Sequence, residues 1–149
     1  MEIDAVERTI QISVGELARF QNGVHDYVSV GLEWRAELGR KWHDTINEET
    51  KKEDPSAQFE VTIKQNVFIH NWNFQITGRI DQIVSGNQRR KKLIEIKSVS
   101  HPLPEKEEYL KEKYPHYFAQ VAIYKYLAER DSKFSALGFS AEIHFVDIN

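Results

Sequence analysis

The sequence predicts a single mixed α/β domain in which helices flank a central, mixed β-sheet built from a meander and one final strand. The first observation is size, because 149 residues of which 40% are hydrophobic match one domain with a real core. The second is a change of hydrophobic period along the chain. Helical spacing gives way to strand-like alternation after about residue 58, and both types recur after residue 100.

The N-terminal third predicts two helices. Ser13 and Glu16 form the S-x-x-E pattern of a capping box, so we expect a helix over residues 14–30. A second helix is expected over residues 32–49, where apolar residues four positions apart form one stripe: Trp34, Leu38, Trp42 and Ile46. Residues 47–55 are polar and charged, which favours a loop.

The middle of the chain predicts a β-meander. Alternating apolar residues indicate strands over residues 59–63, continued or restarted at 67–70, and over residues 74–84 and 93–99, with a turn at residues 85–87. Helices are then expected over residues 105–113 and 116–130, and a last strand over residues 141–148. The chain ends on that strand, which we interpret as a domain cut from a longer protein or a small stand-alone member of a larger family.

Composition restricts the class of protein. The chain has no cysteine, which excludes disulfides, thiolate zinc sites and iron–sulfur clusters within it. It has no apolar run near 18 residues and no visible secretory signal, so we expect a cytoplasmic protein with no membrane partner. The net charge of -3 argues mildly against non-specific nucleic-acid binding by the isolated domain.

One local run of positive charge has two interpretations. The residues Arg89, Arg90, Lys91 and Lys92 directly precede the third predicted strand. A charged, solvated hairpin tip explains them, and so does a patch that contacts phosphate.

The strongest chemical pattern combines Asp81 with Glu95 and Lys97. Asp81 ends one predicted strand, and the two other residues lie on the next strand two positions apart, so they share a face. If the strands pair, the two carboxylates lie together and repel each other unless a cation or a proton separates them. Mg²⁺ suits such a site, because it prefers oxygen ligands and keeps waters. Taken singly, the same residues are explained by a turn carboxylate and a surface ion pair, but the apolar surroundings of Glu95 make unpaired charges expensive.

Two helical pairs are weaker signals. Gln120 and Tyr124 lie one turn apart on the apolar face of the fourth predicted helix, where a satisfied core glutamine is the simplest explanation. Gly39 lies one turn before His43 in the second helix and opens space beside the imidazole. A structural histidine and a metal ligand both remain open there.

Four motifs in order resemble the RecB-like nucleases of the PD-(D/E)xK superfamily, which includes the nuclease domains of RecB and AddAB and the lambda-type exonucleases. The resemblance covers about residues 13–126. It is carried by Gly39-x-x-x-His43, Gly78-Arg79-Ile80-Asp81, Glu95-Ile96-Lys97 and Gln120-x-x-x-Tyr124. The usual proline before the acidic residue is replaced by Arg79-Ile80, as in many RecB-like members. The resemblance implies a restriction-endonuclease-like core.

The resemblance also implies roles for the residues of the site. His43, Asp81 and Glu95 would be metal ligands, together with the backbone carbonyl of Ile96, and the cofactor would be Mg²⁺ or Mn²⁺. Lys97 would position or activate the attacking water, or stabilise charge on the phosphate. Some relatives bind an iron–sulfur cluster through four cysteines, which this chain does not have.

The remaining implied residues concern DNA. Gln120 and Tyr124 would orient the catalytic site and a nearby phosphate, and we add Arg79 and the run from Arg89 to Lys92 as candidate DNA contacts. The expected function is therefore a metal-dependent deoxyribonuclease, an exonuclease or end-processing enzyme in repair, recombination or foreign-DNA processing, with a helicase or recombination protein as candidate partner. The alternative is a catalytically silent DNA-binding or scaffolding domain. A restriction-type endonuclease fits the superfamily but not the His43 and Gln120-x-x-x-Tyr124 motifs.

Overall fold

The computed structural model describes residues 1–21, 33–134 and 138–148. Within these residues the elements follow in the order β1 (Glu2–Asp4), β2 (Thr9–Ser13), α1 (Val14–Gln21), α2 (Glu33–Glu53), β3 (Gln58–Ile69), β4 (Trp72–Ser85), β5 (Lys91–Val99), α3 (Glu107–Lys113), α4 (Pro115–Glu129) and β6 (Phe139–Asp147). The predicted fold class, a mixed sheet flanked by helices, is confirmed. None of the helices in this described part combines the length and apolar character needed to cross a bilayer.

The sheet is built around β4. Strands β3, β4 and β5 form the predicted antiparallel meander, and β6 adds to β5 in parallel, as the final strand of the prediction. Strand β2 lies parallel to β4, and β1 pairs with β2 at the edge.

Strand β4 pairs with two different strands along one edge, and this arrangement opens a split in the sheet. Its residues 73–77 pair with β2, its residues 82–85 pair with β5, and both sets overlap with the residues that pair with β3. Since a strand has only two edges, β2 and β5 lie on the same edge, opposite β3. Residues 78–81 therefore face a split in the sheet. On the β3 side the ladder is interrupted at Glu60, which has a φ of 50° and lies opposite Asp81.

Helices cover both faces of this sheet. The apolar core lies between the sheet and helices α1 and α4, and its most buried members are Val14, Ile63, Ile80, Leu93 and Leu127. Ile80 and Ile83 both belong to this core although they are three residues apart, so the strand alternation shifts near Asp81. Helix α2 lies on the opposite face, where Gly39 approaches Ser98 of β5.

Strands β1 and β2 are absent from the sequence prediction. The segment from Thr9 to Ser13 does alternate, with Ile10 and Ile12 directed to the core, but five residues are too short a signal next to a capping box. Its pairing with β4 joins residues about 64 positions apart along the chain, which local patterns do not show.

The prediction for α2 is wrong in two respects. The helix continues to Glu53 although residues 47–55 were expected to form a loop, because the polar Asn47 is bound by a buried side chain of the sheet. Trp42 is 40% exposed, so the expected apolar stripe is not buried as one. The predicted start at residue 32 and the predicted extension of α1 over residues 22–30 lie outside the described residues.

The other local predictions agree with the structure. The Ser13–Glu16 capping box is confirmed by hydrogen bonds in both directions, at 2.9 and 3.1 Å. Helix α4 begins at Pro115 and ends at Glu129, close to the expected bounds. Helix α3 begins two residues later than expected, and β3 is one continuous strand rather than two.

Candidate active site

Asp81 lies where β4 and β5 separate. The described ladder between these strands ends at the Gln82–Ile94 pair, and past this point the Asp81 side chain takes the place of a backbone acceptor. Its Oδ2 accepts a hydrogen bond of 2.8 Å from the backbone N–H of Ile96. The carboxylate is thereby held in the split, next to the strand that carries Glu95.

Glu95 is a buried carboxylate with one oxygen bound and one without a partner. The residue is 4% exposed. Its Oε1 receives Lys97 Nζ at 3.2 Å and Gln120 Nε2 at 3.3 Å, whereas Oε2 is buried and has no hydrogen-bond partner. A buried carboxylate oxygen without a donor is costly, and it is the type of atom that a hard cation binds.

The electrostatics of this carboxylate are unusual. Burial, and then the negative charge of Asp81, raise the pKa of Glu95 from 4.5 to about 7, against the opposing effect of Lys97. Asp81 is held by the backbone N–H of Ile96, the residue after Glu95, and a single lysine does not fully compensate the repulsion between the two acids. The site therefore has an affinity for a further positive charge or a proton.

Lys97 is held on two sides. Its Nζ contacts Glu95 and lies 4.8 Å from the centre of the Tyr117 ring, an arrangement in which the ring face attracts the ammonium. Its side chain is only 18% exposed. A cation is thus fixed beside the carboxylate pair rather than left free in solvent.

Helix α4 supplies the polar side of the site. Gln120 Nε2 lies 3.3 Å from Glu95 Oε1 and 3.4 Å from the hydroxyl oxygen of Tyr124. The same hydroxyl accepts from the backbone N–H of Arg79 at 3.4 Å. Burial, with a contribution from the negative charge of Glu95, raises the pKa of Tyr124 above its usual value, so the hydroxyl stays protonated at neutral pH.

Gly78 makes this approach of α4 to β4 possible. A Cβ atom at Gly78 would lie 2.6 Å from Cε1 of Tyr124 and 2.9 Å from Cγ2 of Val14, both well inside van der Waals contact. The close packing of α4 on β4 therefore requires a residue without a side chain at the first position of the Gly78–Asp81 motif.

His43 reaches the same cleft from the other face of the sheet. The cleft has a volume of about 930 Å³, and its lining includes His43, Asp81, Glu95 and Lys97, together with Arg79, Ile96, Gln120 and Tyr124. Glu95 and Lys97 contact α4, whereas Ser98 lies under α2. The split thus connects the α2 side with the α4 side of the sheet.

The donor set fits a divalent cation in part. Two adjacent carboxylates with one free buried oxygen suit Mg²⁺, which is commonly held by one or two carboxylates plus waters and phosphate. In residues 1–21, 33–134 and 138–148, however, no three His, Cys, Asp or Glu side chains form a compact metal-binding group. The ligand roles of Asp81 and Glu95, like those of His43 and the Ile96 carbonyl, therefore remain predictions.

The basic run is separate from the cleft. Arg89 and Arg90 are exposed at the β4–β5 turn, and Lys92 forms an ion pair of 2.8 Å with Glu142 of β6. Lys91 lies four residues before Glu95, which corresponds to about 13 Å along a strand. None of the four lines the cleft.

Two residues beside the site are missing from the sequence prediction. Gln82 is completely buried, and Tyr117 supports Lys97. Gln82 follows Asp81, and these two polar residues interrupt the apolar run of Ile80, Ile83 and Val84, which is a detectable signal. Tyr117 looks like any core aromatic in the helix, and only its tertiary contact distinguishes it.

Comparison with known proteins agrees with this architecture. The family model of the PD-(D/E)XK nuclease superfamily matches residues 5–148, and the chain belongs to this superfamily. Among solved structures, the crystal structure of SSO0001 is similar, with a TM-score of 0.57 and 21% sequence identity over 91% of this chain. The chain spans 61% of the length of that protein, and the likeness concerns the fold. No curated protein matches the chain.

Proposed function

We propose that this protein is a RecB-like, divalent-metal-dependent deoxyribonuclease that hydrolyses phosphodiester bonds in the cleft at the split between β4 and β5. The observation that carries the proposal is the buried, partnerless Oε2 of Glu95 beside Asp81, with Lys97 on the same carboxylate. A superfamily of nucleases supplies the reaction class, and these three residues supply the chemistry.

Each side chain has a defined task in this proposal. Asp81 and Glu95 hold Mg²⁺ or Mn²⁺, with His43 and the Ile96 carbonyl as further ligands. The ion, when bound, lowers the pKa of a water and neutralises charge on the phosphate. Lys97 and Gln120 both bind Oε1 of Glu95. They thereby occupy this oxygen and leave Oε2 for the metal ion.

Lys97 and the α4 residues act on the substrate side. Lys97 provides an ammonium that can orient the attacking water or stabilise the negative charge that develops on the phosphate. Gln120 and Tyr124 fix the carboxylate and the backbone of Arg79. Arg79 lines the cleft and is the cation that we propose for a DNA phosphate. The exposed Arg89 and Arg90 would contact more distant phosphates, outside the cleft.

The biological setting that we propose is exonucleolytic or end-processing work on DNA during repair, recombination or removal of foreign DNA, in the cytoplasm. A helicase or recombination protein is the proposed partner. The chain itself is proposed to act as one nuclease domain, either alone or within a longer protein.

The test is cleavage of 5′- and 3′-labelled single- and double-stranded DNA, with an RNA arm, in Mn²⁺ and in EDTA. We expect cleavage only with metal, and a loss of at least about 100-fold in Lys97→Ala and Asp81→Asn. Lys64→Ala is the control, since Lys64 is an exposed lysine of β3 that does not line the cleft. A Lys97→Ala protein that cuts at the wild-type rate contradicts the assignment. DNA binding without cleavage, by a wild-type protein that Mn²⁺ does not stabilise, supports the silent DNA-binding alternative instead.

A further inference from the structure

The completely buried Gln82 holds helix α2 against the sheet. Its Nε2 donates to Asn47 Oδ1 at 2.7 Å, and its Oε1 accepts from Thr50 Oγ1 at 3.3 Å. Asn47 and Thr50 lie three residues apart and share one helix face. We call these three residues the Gln82 clamp. Since a buried amide without partners costs about 1–3 kcal/mol, the clamp strongly favours one position of the helix.

The described side chains of α2, those of residues 36–53, offer little other anchorage. Among residues 36–53 only Gly39 is buried, and Trp42 is 40% exposed. Gly39 forms the second anchor, because a Cβ there would lie 3.3 Å from Ser98 Oγ. Over residues 36–53 the helix is therefore placed by one close backbone approach and one polar clamp rather than by a fully buried apolar stripe.

His43 lies midway between these anchors. Gly39, His43 and Asn47 follow each other at four-residue intervals, which places them on one face with about 6 Å between successive residues. On the sheet side, Ser98 directly follows Lys97 and Gln82 directly follows Asp81. Each anchor of the helix is thus one residue away from a residue of the candidate site.

We propose that the Gln82 clamp is a positioning device that sets the place of His43 over the split and thereby the metal affinity of the site. This inference rests on the proposed function, because it assumes that a divalent ion binds between Asp81, Glu95 and His43. Gln82, Asn47 and Thr50 touch neither metal nor DNA in this view. They act through the position of the helix that carries His43.

The test measures Mn²⁺ binding without DNA, as the Mn²⁺ concentration equal to the dissociation constant, which is fitted to the logarithmic rise of thermal stability with added Mn²⁺. Gln82→Met keeps the volume of the side chain and removes both hydrogen bonds, and Asn47→Ala removes one bond from the helix side if the buried substitution fails to fold. We expect each to raise that concentration about 10-fold, the lower end of the effect of outer-shell partners. Gln75→Met, on the same strand but outside the cleft, should leave it unchanged.

A double-mutant cycle distinguishes positioning from general loosening. If the clamp acts through the imidazole, Asn47→Ala weakens Mn²⁺ binding in the wild-type background and has no further effect in His43→Ala. Clamp variants that bind Mn²⁺ like the wild type, while His43→Ala binds it more weakly, overturn the clamp and leave the nuclease proposal intact. Effects of Asn47→Ala and His43→Ala that add fully also overturn it. A wild-type protein that Mn²⁺ does not stabilise overturns the metal site itself and the clamp with it.

Discussion

Replacing Glu95 by glutamine should stabilise the metal-free fold while it abolishes cleavage. The carboxylate is 4% exposed and lies beside Asp81, so its ionised form is disfavoured in the native state. Glutamine copies the protonated form in shape and charge. The expected gain is the free energy that the native state loses when Glu95 ionises.

The magnitude and the sign follow from the pKa. The pKa of Glu95 rises from 4.5 in the unfolded chain to about 7 in the native state, which corresponds to about 3 kcal/mol at high pH. Between these two pH values the folded protein binds more protons than the unfolded chain, so its stability falls as the pH rises through that window. Glu95→Gln removes this loss, and its advantage should be small near pH 4.5 and complete near pH 8.

The assay is thermal unfolding in EDTA between pH 5 and pH 8. For a chain of this size, about 3 kcal/mol corresponds to roughly 6–12 °C in Tm, so the two curves should diverge visibly with pH. Added Mn²⁺ should then stabilise the wild type more than the variant at pH 8.

Glu142→Gln is the control, and its change in stability should have the opposite sign. The hydrogen bonds and charges of Lys92 and then His144 lower the pKa of Glu142, and the loss of an exposed pair costs below about 1 kcal/mol. Parallel Tm curves of the wild type and Glu95→Gln from pH 5 to pH 8 would refute the reasoning.

Three further predictions concern single positions. In thermal unfolding, Gly78→Ala should lower stability by about 1–3 kcal/mol, because the added Cβ meets Tyr124 at 2.6 Å. The control Gly15→Ala adds a Cβ in open space and should be neutral or stabilising by up to about 1 kcal/mol. Tyr124→Phe removes the hydroxyl that contacts Gln120 and should reduce the single-turnover cleavage rate while Mn²⁺ affinity is kept; an unchanged rate contradicts the positioning role. Arg90→Ala should reduce the salt dependence of DNA binding without affecting stabilisation by Mn²⁺. Equal salt dependence in the wild type and Arg90→Ala would indicate that the basic run is only a solvated hairpin tip.

The sequence was sufficient for the meander and the spacing of the site. Alternation locates β3, β4 and β5, and strand geometry alone places Glu95 and Lys97 on one face. Both residues do contact α4. These features are local, since they depend on neighbours a few positions away or on adjacent strands joined by a short turn.

The sequence did not show which remote segments of the chain contact each other. Local patterns do not reveal β2, because its partner lies about 64 residues away. They end α2 too early, because the partner of Asn47 is a glutamine of β4. In both cases a tertiary contact overrides a weak local preference. The fold pairs Lys92 with Glu142 and leaves the basic run away from the cleft, and phosphate contact by this run stays a prediction.

The sequence by itself determined the types of element, their order from α1 onward and the identity of the acidic pair and its lysine. Only the tertiary structure decided that β4 is shared by β2 and β5, that Asp81 replaces a ladder bond in the resulting split, and that one oxygen of Glu95 is buried without a partner. The physical reason is that periodicity encodes which face of an element is apolar. The distance between two charges and the satisfaction of a buried atom arise only when remote segments are brought together.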